Sequence, residues 1–172
     1  MCLGVWQSDR RRTYRTIDGR ENGIVPGGVG KVVSAVRIAK AYAYVTRRAV
    51  EERELLVFRH RDHDAGVQIP KGTIEPGEHP RDAVVREVAE ETGIDDCVAT
   101  RRLATDTWIH PTKSKHYRRH FFHVEAEEER DEWHHVVTGA GEDDGLVFEC
   151  FWHSVDEVDL VRNMDAYLHR LF

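Results

Sequence analysis

The 172-residue chain has no apolar run approaching the roughly 18 residues of a membrane-crossing helix, so no membrane span is expected. The opening MCLGVWQSDRRRTYR carries basic side chains with no apolar stretch behind them and does not read as a secretory signal. Cysteine is scarce: Cys2, Cys97 and Cys150 lie far apart, and there is no Cys-x-x-Cys. That argues against a disulfide framework and for a reducing, cytoplasmic setting. Net positive charge is also lacking. Lys and Arg number 25 against 31 Asp and Glu, a formal charge of −6, so general nucleic-acid binding is not expected. An acidic protein that handles an anionic substrate needs metal ions and local basic residues to do so. No internal repeat and no low-complexity tract appears. What remains is 40% hydrophobic and 33% charged, which suits one globular domain with its own core. Nothing in the composition separates a monomer from a homodimer.

Residues 1–34 look unlike the rest. They hold the basic run Arg10-Arg11-Arg12 and the glycines Gly27, Gly28 and Gly30, with few apolar residues and no clear period. They read as an N-terminal extension, loosely ordered or lying over a domain of residues 35–172. The string PGGVGK is not a phosphate loop. That motif needs Gly at position 25 and Ser or Thr at position 32, and both are Val.

From Val36 a pattern sets in. Ala41, Ala43 and Val45 alternate with Tyr42, Tyr44 and Thr46, and Leu55 to Phe58 is a short apolar run; both predict strands. Arg47 to Arg53 is a charged turn, Val67 to Pro70 ends another short strand, and Lys71 to Gly77 is a loop. Strands are expected near 98–108, 117–125 and 146–152. The spacing of Val158, Val161, Met164, Leu168 and Leu171 predicts a C-terminal amphipathic helix from Val155 to Phe172, with Ser154 as its N-cap.

Between these lies a helix over about 80–92. Pro80 suits its first position, Asp82 complements the N-terminal dipole and Gly93 suits the position past its end. Val84, Val85, Val88 and Ala89 form an apolar arc, and Glu87, Glu90 and Glu91 the arc beside it, with Arg86 beyond. Like charges at helical spacing repel by a few tenths of a kcal/mol per pair. A divalent cation against them would remove that cost. Hard oxygen ligands select Mg²⁺, or Mn²⁺, and Glu87 and Glu91, one turn apart, can reach one ion.

Residues 72–94, GTIEPGEHPRDAVVREVAEETGI, match at every specified position the Nudix box, Gly-x5-Glu-x7-Arg-Glu-U-x-Glu-Glu-x-Gly-U, where U is a bulky aliphatic. The chain therefore resembles the Nudix hydrolases. The resemblance implies an α/β fold, an α/β/α sandwich with a mixed central β-sheet and a catalytic loop-helix-loop. It also implies Mg²⁺-dependent hydrolysis of a pyrophosphate bond in a nucleotide-like molecule, by water attack at phosphorus. Glu87, Glu90 and Glu91 would be metal ligands, joined by the backbone carbonyl of Gly72. Arg86 resembles the arginine that fixes a box glutamate, and Glu78 the acid that supports the metal site or partners Arg86. Read from spacing alone, Arg86 would simply pair with Glu90 along the helix.

Outside the box, Lys71 could meet a phosphate. Lys113, Lys115, Arg118 and Arg119, with His116 and His120, form a basic patch suited to a polyphosphate or, equally, a solvated strand edge. Glu142, in the acidic loop Gly139 to Gly145, is a candidate base. His134-His135 lacks the spacing of a zinc site. Trp108, Trp133 and Trp152 could stack on a base or pack in the core. The segment VQIPKGTIEPGE resembles members acting on nucleoside or dinucleoside polyphosphates, with a nucleotide-sugar (ADP-ribose-type) pyrophosphatase as the alternative. A third reading, a non-enzymatic nucleotide-binding domain, would usually show a degraded box.

Overall fold

The computed structural model describes residues 36–47, 54–62, 64–112, 114–139, 141 and 143–172. The extension expected over residues 1–34, most of the charged turn, and Lys113 and Glu142 lie outside the described residues. The elements run β1 (Val36–Arg47), β2 (Glu54–His60), β3 (Lys71–Thr73), α1 (Pro80–Thr92), β4 (Cys97–Ile109), β5 (Lys115–Ala126), β6 (Glu132–Val136) and β7 (Val147–Ser154). The strands form one sheet in the order β4-β5-β1-β2-β7-β6, with β3 paired to β1. β1 and β5 are parallel, from Val36 opposite Lys115 to Arg47 opposite Ala126, and the other pairs are antiparallel. The sheet is therefore mixed, as expected. Among the described residues no helix is long and apolar enough to cross a membrane.

Strand alternation builds two cores from one sheet. Ala41, Ala43, Val45, Leu56, Phe58, Phe122, Val124 and Phe148 pack with Ala83, Val84 and Val88 of α1. Tyr42, Tyr44, Leu55, Val57 and Phe121 pack instead with Val155, Leu160, Met164, Leu168 and Leu171 of the C-terminal segment. Each fully buried Val, Leu or Phe contributes about 1.5–3 kcal/mol relative to its exposed state. Both faces of the sheet are thus held by comparable apolar layers.

The layer on the second face is not the expected C-terminal amphipathic helix. Residues 155–172 form turns and two short 3₁₀ segments, Val161–Asn163 and Leu168–Arg170. Arg162 and Asn163 take φ of 57° and 56°, left-handed conformations that no α-helix contains. The segment's carbonyls bond to the sheet rather than along a helix. Tyr44 Oη donates to Met164 O at 2.6 Å, Arg119 Nη1 to Arg162 O at 3.1 Å, and Arg101 Nη2 to Leu171 O at 2.6 Å. The apolar spacing in the sequence reported burial, and three β-branched valines with three aspartates, weak helix formers all, left the backbone free to bond elsewhere.

Three local expectations also shift. Residues 67–70 make only an isolated bridge, Gln68 opposite Phe58. Lys71–Thr73, expected as loop, is β3. β6, with a half-exposed pattern, lies between the strands expected near 117–125 and 146–152, where none was expected. By contrast α1 has the expected bounds. Pro80 occupies its first turn, His79 Nδ1 accepts from the Arg81 amide, and Gly93 at φ 72° closes it with its N–H on Ala89 O.

Candidate active site

Short β3 pairs with β1 at Lys40, Ala41 and Tyr42, which places Thr73, Gly72 and Lys71 beside the middle of that inner strand. The loop after β3 then turns back into α1. It is braced by Glu78, whose amide donates to Glu75 O at 3.0 Å and whose Oε2 accepts from the Glu75 amide at 2.8 Å. This loop-helix unit brings Arg86, Glu87 and Glu91 against β3, at Thr73, Gly72 and Lys71 in turn.

Arg86 is the hub. Its Nε and Nη2 donate to the two Glu78 oxygens at 2.8 and 2.9 Å, and its Nη1 donates to Glu87 Oε1 and Glu90 Oε2, both at 2.9 Å. Nη2 also reaches Thr73 O at 3.0 Å. One guanidinium thereby ties three carboxylates and the strand. This forked contact holds Glu78 below the usual carboxylate range.

Glu87 and Glu91 are buried, at 8% and 3% exposure, on the face of α1 that packs against the sheet. The apolar and acidic arcs of the helix therefore overlap, whereas the sequence pattern set them side by side. Glu91 Oε2 accepts from the Lys71 amide at 2.8 Å, and its Oε1 lies 3.8 Å from Lys71 Nζ. Burial raises the pKa of both acids, that of Glu91 to about 7. The Glu87 carboxylate sits directly on Gly72: a Cβ there would lie 1.8 Å from its Cδ. Only glycine permits that approach.

These residues line a cleft of about 460 Å³ with Lys40, Lys115, Tyr117 and Asp143. Burial and the neighbouring Lys71 lower the pKa of Lys40. Its ammonium lies 5.9 Å over the Tyr117 ring, which neighbours Trp108 at 5.8 Å. Lys40, Tyr117 and the Thr73 carbonyl are not among the sequence candidates, and Asp143 belongs to the acidic loop in which Glu142 is the candidate base. The signal that could have found the first of them is a lysine at position 40 flanked by Ile38, Ala39, Ala41 and Ala43.

The basic patch separates. Lys115 lines the cleft. Arg118 lines a separate hollow with Arg37, His116 and Thr107. Arg119 is 3% exposed and points into the second core, where its Nε donates to Asp106 Oδ1 at 2.8 Å. It braces the C-terminal segment and is not placed to bind substrate. Trp133 and Trp152 use their indole N–H groups on Thr92 O and Arg130 O, at 2.7 and 3.0 Å. Both are structural rather than stacking surfaces.

Every donor facing the expected metal position is a hard oxygen, which fits Mg²⁺ or Mn²⁺. Among the described residues no three acidic, imidazole or thiol side chains form a metal-holding group as they stand. Arg86 engages Glu87 and Glu90, and Lys71 engages Glu91. Arg86 uses one oxygen of Glu87 and one of Glu90, which leaves the second oxygen of each for a further cation.

In the sequence of Roseobacter denitrificans RNA pyrophosphohydrolase, 57 residues are 40% identical, covering 33% of this chain and 36% of that protein. In that of a Psychrobacter RNA pyrophosphohydrolase, 80 residues are 37% identical, covering 46% of each. The chain thus aligns with less than half the length of either relative. The crystal structure of a MutT protein from Methanosarcina mazei superposes with a TM-score of 0.58 at 20% identity, covering 80% of this chain and 94% of that one, a likeness of fold. The NUDIX domain family model matches residues 38–172, and the chain belongs to the Nudix family.

Proposed function

We propose that the protein hydrolyses a pyrophosphate bond in a nucleoside or dinucleoside polyphosphate, with Mg²⁺ as the working cation and Mn²⁺ as a substitute. The observation that carries this reading is the union of two opposite features in one cleft. Glu78, Glu87, Glu90 and Glu91 gather around Arg86 and Gly72, while Lys40, Lys71 and Lys115 line the same walls. The acids suit cations and the lysines suit a phosphate chain. When bound at Glu87, Glu90, Glu91 and the Gly72 carbonyl, the cation would supply charge neutralisation on the pyrophosphate and make an attacking water more acidic.

The protein's own groups do the rest. Arg86 holds Glu87 and Glu90 in fixed rotamers. Lys71, through its amide and ammonium, holds Glu91 at the β3 edge. Lys40 and Lys115 orient the phosphates, and Tyr117 forms the wall that a nucleoside would meet. Asp143, which lines the cleft from the loop after β6, is the described acid placed to take a proton from water. Glu142 remains the neighbouring candidate from the sequence. The free thiols Cys97 and Cys150 suit the cytoplasm, where we place the protein.

The test is product analysis of purified protein with Mg²⁺ or Mn²⁺ on a panel. The panel holds nucleoside triphosphates, dinucleoside polyphosphates, ADP-ribose and 5′-triphosphorylated RNA, the last because two relatives carry that name. Release of phosphate or nucleoside monophosphate from the polyphosphates supports the reading. Preference for ADP-ribose would move the substrate class. No turnover of any member, with nucleotide still bound, would leave a binding domain.

A further inference from the structure

The end of α1 holds Glu90 and Glu91, and an α-helix leaves its last four carbonyls without partners of its own. Here each of them has one. Gly93 N–H caps Ala89 O at 2.9 Å. Glu90 O receives the Thr138 amide at 3.1 Å and pairs with His135 Nε2 at 3.0 Å. Cys150 Sγ lies 4.0 Å from Glu91 O, and Trp133 Nε1 donates to Thr92 O at 2.7 Å. Three of the four are thus met by β6, by Thr138 two residues beyond it, and by β7. The imidazole also fills the space beside Gly93, where a Cβ would lie 2.7 Å from His135 Nδ1. Glycine there serves both the left-handed turn and the close approach of the ring.

The same strand leads into the loop that bears Asp143. Gly139 of that loop approaches the Glu90 carboxylate so closely that a Cβ would lie 2.9 Å from Oε2. β6 is a half-exposed edge strand with little core of its own. Its inward side chains, Trp133 and His135, are spent on the turn that carries the acids. We propose that His135, supported by Trp133, is a positioning residue: it sets the depth and rotation of the catalytic turn, so that Glu90 and Glu91 meet Arg86, Lys71 and the cation together. This rests on the metal-site reading above. It gives His135 of the His134-His135 pair a role through a backbone carbonyl. His134 is exposed and paired with Glu149 on the other side of the strand.

The test uses the whole protein and two variants at one position, with Mn²⁺ binding followed by electron paramagnetic resonance beside steady-state kinetics. His135→Phe keeps the bulk and removes the donor. It is expected to weaken Mn²⁺ binding and lower kcat by about tenfold or more, the range for groups that orient metal ligands, with KM little changed. His135→Gln, whose amide donates from a similar position, restores most of both, and His134→Ala changes neither. Exchange of the Gly93 amide with solvent gives a readout without metal, faster in His135→Phe and near wild type in His135→Gln. Wild-type Mn²⁺ affinity and kcat in His135→Phe would overturn the proposal, whatever happened to its melting temperature. If that variant does not fold, Trp133→Phe decides on the same readouts. Wild-type protein that bound no Mn²⁺ would instead sink the reading of the site, and Gly93 exchange would still judge the clamp.

Discussion

Two arginines sit at the centre of polar clusters in this molecule, and they differ in balance. Arg119 meets one carboxylate, Asp106, and spends its other donors on the carbonyls of Arg162 and Asn163, with the rings of Phe121 and Tyr42 at 5.0 and 5.7 Å. Tyr167 Oη donates to the same aspartate at 3.1 Å. One positive charge answers one negative charge and little is left over. Arg86 meets three glutamates, with Glu91 and Asp143 close by, and Lys71 and Lys40 offset only part of that excess. A balanced cluster needs no visitor and serves to pin chain to chain. An unbalanced one keeps negative charge in a semi-buried cleft at a cost to stability, which a cation would relieve.

The largest effects should separate the two clusters cleanly. Glu90→Gln or Glu91→Gln is expected to lower turnover by at least about a hundredfold while circular dichroism stays native. The melting temperature should hold or rise, because a repelling charge has gone. Asp106→Asn should do the reverse, lowering unfolding free energy by about 2–3 kcal/mol, since a buried guanidinium loses its counter-ion, while the folded fraction keeps its kcat. Thermal melts and kinetics on the same samples check both. A Glu90→Gln enzyme with full activity, or an Asp106→Asn enzyme with lost activity and unchanged stability, would erase the distinction.

Replacing each arginine by lysine sharpens the contrast. A lysine keeps the charge but not the fork, and it cannot reach Glu78, Glu87, Glu90 and Thr73 O together. Arg86→Lys should lower kcat by about tenfold through misplaced carboxylates, and Arg119→Lys should change only the melting temperature. Within the cleft, Lys40→Met removes a cation that offsets part of the Glu87 and Glu91 charge without belonging to the box. KM for a triphosphate should rise about tenfold, the value of one charge-assisted hydrogen bond, with a smaller rise for substrates carrying fewer phosphates. Equal KM changes across that series would place Lys40 outside the phosphate path.

Much of this contrast could be read in the chain and part could not, for a reason of geometry. Glu87, Glu90 and Glu91 were legible because helical neighbours three and four apart share a face, so local spacing is spatial placement. The caps at Pro80 and Gly93 were legible on the same ground. Arg119 was not: alternation sends Arg118 to the opposite face, whereas Lys115 and Arg119 share a face and are parted by about 13 Å along the strand. Lys115 entered the cleft, Arg118 another hollow and Arg119 the second core, so a basic patch in sequence became three places in space. The burial of Glu87 and Glu91 depends on Arg86, Lys71 and Gly72 at once, and only Arg86 lies beside them on the helix. Residues 155–172 show the remaining limit. Apolar residues three or four apart marked the buried side correctly. Carbonyls claimed by Arg101, Arg119 and Tyr44, all distant in sequence, decided the backbone.

A third cluster extends the comparison to a group that carries no charge, and it should give the smallest effect. His123 lies between two hydroxyls, with Nε2 at 2.8 Å from Thr46 Oγ1 and Nδ1 at 3.1 Å from Thr100 Oγ1. Thr100 Oγ1 also donates to His123 O at 3.2 Å, so it accepts from Nδ1, and Nε2 accepts from Thr46. That is a satisfied neutral ring. Burial lowers its pKa below the ordinary 6.5, with Arg101 acting in the same direction and Glu125 opposing. A histidine whose folded pKa is depressed favours the neutral form in the native state. Its contribution is therefore complete above about pH 6.5 and is lost as pH falls below the value of the unfolded chain, which then binds the proton more readily. Glu87 and Glu91, raised by burial, act in the opposite sense over this range, so the His123 contribution is read as a difference: relative to His123→Gln, which bonds both threonines without titrating, the wild-type melting temperature should fall as pH falls from 7 toward 5. His120, also buried and lowered beside Arg118 and Arg102, adds a parallel slope that the variant leaves in place. A His123→Gln profile with the full wild-type slope would show that this neutral cluster carries none of the decline and would leave it to His120, since Glu87 and Glu91, whose pKa values burial raises, add stability as pH falls.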